Sequence, residues 1–441
     1  MLRAGSWSMS AHLVGQVLRL ASSLIMTRLL VPDMFGVMAI ATMVQVVLSL
    51  LSDIGLRQTI VQSPRGDTSA LLNTAWTLQV VRGLLIWGVC ALVSGVLYYA
   101  GMMGWLPPGS VYAAAELPAV LAVTSLSAVV LGFQSTKVST TQRHLDLKRV
   151  TVIELVAHVA GLLVAVILGW LTRSIWSFVA STIVAALISA VLSHVWLPGP
   201  SNRFEWHRES VRELVGYGRW VLLSSLLFVM AANADRLILG GLVSAATLGL
   251  YSIAFNLATM VEGAGSRLFS TVTMAALSEV ARKEPQRFRA LYQKLRLPFD
   301  LGFIGAAGVL YAAGPAIVHL MYDPRYSDAG QMLQVLSFGL IFARFGLAGS
   351  AYLALGEPQK LTWIHLVKLV SVFVLIPLLY HFFGFQGALY AIAFHVAPTL
   401  PLMYWFNRKW GLDSLRLEAL SLLAWPVGYG IGALFAWTVG L

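Results

Sequence analysis

Seven cations fall inside stretches that otherwise read as hydrocarbon-spanning: Arg19, Arg28, Arg82, Arg236, Arg267, Arg344 and Lys368. A cation at the centre of a membrane helix costs roughly 2.5–3.5 kcal/mol, so the set costs on the order of 10 kcal/mol even after a discount for depth and snorkelling. Four acids, Glu154, Asp235, Glu262 and Asp300, share these stretches and leave an excess of three positive charges. The chemistry this suggests is capture of an anion in a water-filled cavity. Arginine suits a phosphate because its planar fork binds two oxygens at once. No catalytic set, metal-ligand set or cofactor motif is assigned.

Cavity residues should share one face of their helix. On the first stretch, His12, Gln16, Arg19, Ser23 and Thr27 fall within about 80° at 100° per residue. Ser252, Asn256, Thr259, Arg267 and Ser270 repeat the pattern later, and Thr42, Gln45, Ser49 and Asp53 add a third stripe. Hydroxyls alone fit helix–helix contacts equally well; an arginine on the stripe favours the cavity. Arg82 and Arg344 are further candidate cavity cations. Arg28 projects opposite Arg19 and lies about 13 Å further along the helix, which allows either snorkelling to the outer interface or a gate contact. Asp235, Arg236, Glu154 and Glu262 are candidates for coupling or gating. Glu154 and His158, four residues apart, read as a proton relay, as half a metal site or, favoured near the inner end, as a local hydrogen-bonded pair.

The elements that must position these side chains are membrane helices. Of 441 residues, 58% are apolar and 11% charged, and apolar runs of the bilayer-spanning length of about 20 residues recur throughout. They predict an all-α polytopic protein with about thirteen spans, at 8–31, 34–55, 73–100, 116–137, 150–171, 175–197, 218–241, 246–275, 296–321, 329–355, 361–381, 384–406 and 418–441. No connecting segment is long enough for a soluble domain. Cys90, the single cysteine, lies in a span and reads as packing. Arg19 interrupts the first apolar stretch, which is therefore kept as a span rather than a signal peptide.

The net charge of +11 is mainly an orientation signal rather than a nucleic-acid footprint. Of 30 lysines and arginines, 21 fall in one set of connecting segments and two, Arg173 and Arg325, in the other. That bias predicts a cytoplasmic N-terminus.

The stretch RLLVPDMFGVMAIATMV from Arg28 has a counterpart in RLILGGLVSAATLGLYSIAFNLATMV from Arg236. Phe35-Gly36 then matches Leu248-Gly249, and Ile40-Ala41 matches Ile253-Ala254. Span 7 becomes the counterpart of span 1, and a six-span offset gives two lobes of like orientation. The expected organisation is an N-terminal lobe at 1–200, an amphipathic cytoplasmic linker at 201–217, a C-terminal lobe at 218–406 and an additional span at 407–441.

TRLLVPDMFGVMAIA at 27–41, SDIGLRQTIVQ at 52–62, RHLDLKRVTVIELVA at 143–157, FEWHRESVRELVGYGRW at 204–220 and NADRLILGGLVSAATLGLYSIA at 233–254, with the basic 282–297 segment, carry a resemblance across residues 8–406. The chain resembles the polysaccharide transporter family of oligosaccharide flippases, relatives of lipid II flippases and multidrug-and-toxin exporters. The resemblance implies a V-shaped pair of lobes around a cationic cavity in the bacterial inner membrane. It also implies alternating-access export of an undecaprenyl-diphosphate-linked glycan for exopolysaccharide, capsule or O-antigen synthesis, with polysaccharide polymerase and export machinery as partners. By position it assigns the diphosphate to Arg19, Arg28, Arg57 and Arg267. No acid cluster for a coupling ion matches.

Two other readings compete. A glycan polymerase or lipid-linked glycosyltransferase needs acids or histidines on a sizeable outer loop, and the longest such loop, about 101–115, has neither. A drug exporter for cations needs a net negative cavity.

Overall fold

The computed structural model describes residues 2–51, 55–144 and 146–440, with side chains described except at 1–13, 51–54, 58, 62, 145, 147, 215–229, 231–232, 267–272, 275, 415 and 441. Among the described residues the chain is helical with no strand. In order the helices are α1 (Leu2–Leu29), α2 (Pro32–Leu51), α3 (Leu56–Gln62), α4 (Ser69–Met102), α5 (Leu117–Thr124), α6 (Leu126–Gly132), α7 (Lys137–Arg143), α8 (Leu147–Thr172) and α9 (Trp176–Val195). They continue as α10 (Arg208–Leu242), α11 (Ala245–Lys283), α12 (Phe288–Met321), α13 (Asp328–Ala343), α14 (Gly346–Ala354), α15 (Pro358–Phe394), α16 (Leu400–Trp410), α17 (Leu415–Ser421) and α18 (Ala424–Thr438).

Eight described helices are long and apolar enough to cross a membrane, or nine if the bent pair Leu117–Gly132 and Lys137–Arg143 is one broken span. One of the eight, Pro358–Trp410, holds 53 residues. A continuous helix of that size would be about 80 Å long, more than twice a hydrocarbon core of about 30 Å. Gly384, with φ 60° and ψ −150°, breaks the helix, at the junction where the sequence divides 361–381 from 384–406. The positive φ at that break suits glycine, which has no Cβ to clash.

The chain forms two compact units, Met1–Gly249 and Leu250–Leu441. In the first, α1 packs along α8, α8 along α9, and α4 against α2, α5 and α6. Met26, Leu30 and Ala165 form a buried cluster closed by Leu29, Met34, Phe35, Val166 and Phe178. The rings of Phe35 and Phe178 meet edge-on at 5.0 Å.

Helix ends in this unit find side-chain partners for carbonyls that have none within the helix. Gln79 Nε2 donates to the Leu131, Gly132 and Gln134 carbonyls at 3.1, 3.1 and 2.9 Å, closing the end of α6. Arg143 Nη1 donates to the Ile60, Val61 and Ser63 carbonyls at 3.0, 2.9 and 2.7 Å, and its Nε pairs with Asp67 at 3.0 Å.

The expected linker has two parts. Residues 201–207 are non-helical and lie along α4: the Arg203 N–H donates to Asn73 Oδ1, the Glu205 N–H to Thr77 Oγ1 and the His207 N–H to Thr74 Oγ1, at 3.0–3.2 Å. The alternate residues bond because an extended chain turns successive groups to opposite sides. From Arg208 the chain is helical through Leu242 without interruption, and this α10 packs on α2, α3 and α4.

In the second unit α12 packs on both α13 and α18. The backbones of α12 and α18 nearly touch: a Cβ on Gly428 would lie 2.1 Å from the Gly305 carbonyl oxygen. Small residues permit such approaches where hydrocarbon supplies no hydrophobic drive to pack helices.

Candidate functional site

Two adjoining cavities lie within the first unit. The smaller, about 400 Å³, is walled by α2, α3, α4 and α6 and carries Arg57, Arg82, Gln79 and Gln134. Among the described residues no carboxylate lines it. Arg82 Nη2 donates to the Ser49 carbonyl, and Arg57 Nε to Gln142 Oε1. Two guanidiniums in one wall suit an anion with several oxygens.

The larger cavity, about 690 Å³, is walled by α1, α2, α6, α8 and α9. It holds Arg19, Glu154 and His158 among serine, threonine and glutamine side chains. Gln45, Ser49 and Leu131 line both cavities, so the two are neighbours across α2 and α6. Gln45 Nε2 donates to Ser127 Oγ at 2.6 Å and Gln134 Nε2 to Ser189 Oγ at 2.9 Å, tying α6 to α2 and α9.

The expected stripes meet these walls unevenly. Thr42, Gln45 and Ser49 of α2 all line the larger cavity, whereas Asp53 lies outside the described residues. On α1 the lining residues are Leu18, Arg19 and Ser22. The edge of α1 that reaches the cavity is therefore rotated from the expected one, because Thr27 is fully buried and donates to the Leu24 carbonyl. Gln16 and Ser23 are half-buried and do not line either cavity, and the His12 side chain lies outside the described residues.

Arg28 is exposed near the end of α1. On α11, Asn256 and Glu262 are exposed and Thr259 Oγ1 donates to the Phe255 carbonyl at 2.8 Å. The Arg267 and Ser270 side chains lie outside the described residues. Asp235 is buried, with Arg236 beside it half-buried. Glu154 and His158 come together in the larger cavity wall, with no hydrogen bond joining them.

Arg344 requires a correction. It lines neither of these cavities but is 8% exposed in a buried ion cluster of the second unit. Its Nη1 lies 3.5 Å from Asp300 Oδ2, which also meets Arg296 Nε at 3.3 Å. Arg296 Nη2 in turn lies 2.7 Å from Glu418 Oε1, and Tyr404 donates its hydroxyl to Glu418. Two cations against two acids balance, so Arg344 needs no bound anion. Arg296, which the charge pattern assigns to a connecting segment, belongs to the same cluster.

Residues 25–299 match the model of the family described as "Polysaccharide biosynthesis protein". The chain belongs to that family. It is similar to the lipopolysaccharide biosynthesis protein WzxC of Escherichia coli (strain K12), 20% identical over 346 residues that make up 76% of this chain and 66% of WzxC. Among solved structures it is similar to the lipid II flippase MurJ in an inward closed conformation, with TM-score 0.69 and 12% identity over 97% of both chains. It is also similar to an inward-facing multidrug resistance transporter of the MATE family and MOP superfamily, with TM-score 0.66 and 14% identity over 96% of this chain and 95% of that one. At these identities the two structural likenesses show the fold. The polysaccharide family thus has here an all-helical, multi-pass membrane fold shared with transporters.

Gln79, Gln134, Ser181, Thr182 and Ser189 line the cavities and are absent from the sequence-based candidates. Gln79 and Arg82 are three apart on α4, a spacing that puts them on one face and was the available signal.

Proposed function

We propose that this chain is a flippase that carries a polyprenyl-diphosphate-linked oligosaccharide, of the undecaprenyl type, from the cytoplasmic to the periplasmic leaflet of a bacterial inner membrane by alternating access. The observation that carries the reading is the cavity with the two guanidiniums Arg57 and Arg82, adjoining a larger cavity of hydroxyl, amide and apolar side chains with room for sugars. A diphosphate cannot enter hydrocarbon unpaired, and its sugars would lose their hydrogen bonds there. Arg57 and Arg82 receive the diphosphate from α3 and α4, with Arg19 in the adjoining wall. Arg28 and Arg267 are kept as further contacts on the strength of the family resemblance. Moving each negative charge outward is favoured by about 2.3 kcal/mol per 100 mV of inside-negative potential, so the potential can drive export without a nucleotide motor.

The family likeness supports a role in polysaccharide biosynthesis exercised by transport rather than by bond-making chemistry. The orientation bias of the basic residues supports a cytoplasmic N-terminus. The polymerase and export machinery that would take the delivered glycan are partners on this reading. A cation exporter is disfavoured because the smaller cavity carries two guanidiniums, Arg57 and Arg82.

The test is flipping of a polyprenyl-diphosphate-linked sugar by the purified chain in proteoliposomes, with and without an inside-negative potential. Flipping that accelerates with the potential and fails in Arg57→Ala and Arg82→Ala is expected. Ethidium efflux without glycan flipping would establish the exporter instead.

A further inference from the structure

We propose that the larger cavity of the first unit is the carbohydrate subsite, and that Glu154 and Thr182 are the residues that read the sugars. The inference rests on the flippase reading and divides its substrate between the two neighbouring cavities.

The division follows from hydrogen-bond complementarity. Several hydroxyls of the larger cavity have already spent their single donor on their own helix: Thr42 Oγ1 on the Met38 carbonyl at 2.7 Å, Thr182 Oγ1 on the Phe178 carbonyl at 2.9 Å and Ser127 Oγ on the Thr124 carbonyl at 2.7 Å. What Thr42 and Thr182 keep is acceptor capacity. The Glu154 carboxyl offers acceptor oxygens as well, and among the described residues no ion pair joins it to Arg19. Where Glu154, Thr42 and Thr182 stand, the wall therefore asks for a ligand with donors to give.

Of the three parts of a lipid-linked glycan only one fits. A polyprenyl tail offers no donor, and a diphosphate offers acceptors only, which Glu154 would repel. Sugar hydroxyl and acetamido groups donate, and their C–H faces suit the leucines that share this wall. The volume of about 690 Å³ lies within the range of about 300–1,000 Å³ usual for small-molecule sites. The diphosphate then falls to Arg57 and Arg82 next door, with Gln45 and Ser49 at the junction of the two cavities. Arg19, in the sugar cavity, is placed to take acidic sugars or the sugar-proximal phosphate.

Binding to the intact purified chain tests this with a short-chain polyprenyl diphosphate, bare or bearing glucose, galactose or N-acetylglucosamine. At least one sugar should tighten binding about tenfold over the bare carrier, the equivalent of one hydrogen bond to a charged group. Glu154→Gln and Thr182→Val should each erase that increment and leave the bare carrier within about twofold of the original, which also shows that the variants are folded. Arg57→Ala should weaken every probe by the same factor. The subsite is overturned if no sugar adds affinity, or if the increment survives both substitutions. If the unaltered chain holds neither the bare nor the sugar-bearing carriers, the flippase reading itself fails.

Discussion

Gly36 and Gly249 each sit against the residue four places before the other. A Cβ on Gly36 would lie 1.9 Å from the Ala245 carbonyl oxygen, and a Cβ on Gly249 would lie 2.0 Å from that of Pro32. These are the two glycines that the internal repeat aligns, so α2 and the start of α11 cross through a reciprocal contact of equivalent backbones. No side chain fits at either position without separating the helices.

If this crossing parts and re-forms during transport, bulk at Gly36 holds it open. Gly36→Val is expected to slow transport at least tenfold, and to expose the neighbouring Val37, now 3% exposed. Thiol labelling of Val37→Cys should be slow in the parent background and rapid beside Gly36→Val. Overpacking of this kind costs typically 1–3 kcal/mol, so the variant should still fold. Equal labelling in both backgrounds would show that the contact does not open.

The guanidiniums of the cavities should not tolerate lysine. Arg57→Lys and Arg82→Lys keep the charge and lose the fork, so flipping should fall about ten- to hundredfold. The double variant should lose less than the product of the two, because both groups hold one diphosphate. Arg19→Lys is expected to be impaired and Arg19→Ala more so. Initial flipping rates at matched protein density measure all five.

The ion cluster of the second unit makes a different kind of prediction. Removing one partner of a buried pair costs about 3–5 kcal/mol because the other charge is stranded. Glu418→Gln and Arg344→Met should each lower the thermal midpoint of the solubilised protein markedly, and combining them should restore part of the loss. Additive losses would show that the charges do not compensate one another.

Acid should release the extended segment before α10 only late. The Glu205 carboxylate accepts from Asn73 Nδ2 and from His207 Nε2, each at 2.7 Å, and the Asn73 bond is the main cause holding its pKa below the usual glutamate value. A lowered folded pKa means that the contribution is fully present above the ordinary value of about 4.3 and is lost as pH falls through the lowered one. Pepsin cleavage at Phe204 should therefore begin below the ordinary glutamate range in the parent chain. In Asn73→Ala it should begin at a higher pH.

Helix positions were largely legible in the sequence, because runs of about 20 apolar residues leave little freedom in a bilayer. The α2 stripe was legible too, since Thr42, Gln45 and Ser49 stand out against an apolar background. What periodicity could not supply was the neighbour. Ser22 and Ser23 are both plausible stripe members, and only the burial of Thr27 decides which edge of α1 meets the cavity. Arg344 read as a cavity cation because its partners Asp300 and Ser421 are 44 and 77 residues away along the chain. The extended 201–207 segment was hidden for a similar reason: its anchors Asn73, Thr74 and Thr77 look like ordinary polar interruptions of a span.

The ion cluster also imposes an order in time. Arg296, Asp300 and Arg344 are translated well before Glu418, so during synthesis two guanidiniums face a single carboxylate. Domains generally fold as their chain emerges, yet this one gains charge neutrality only when α17 arrives and brings Glu418 to Arg296. The final helices thus act as a late checkpoint on assembly, and a ribosome halted after Trp410 would leave a unit whose interior still carries an uncompensated positive charge.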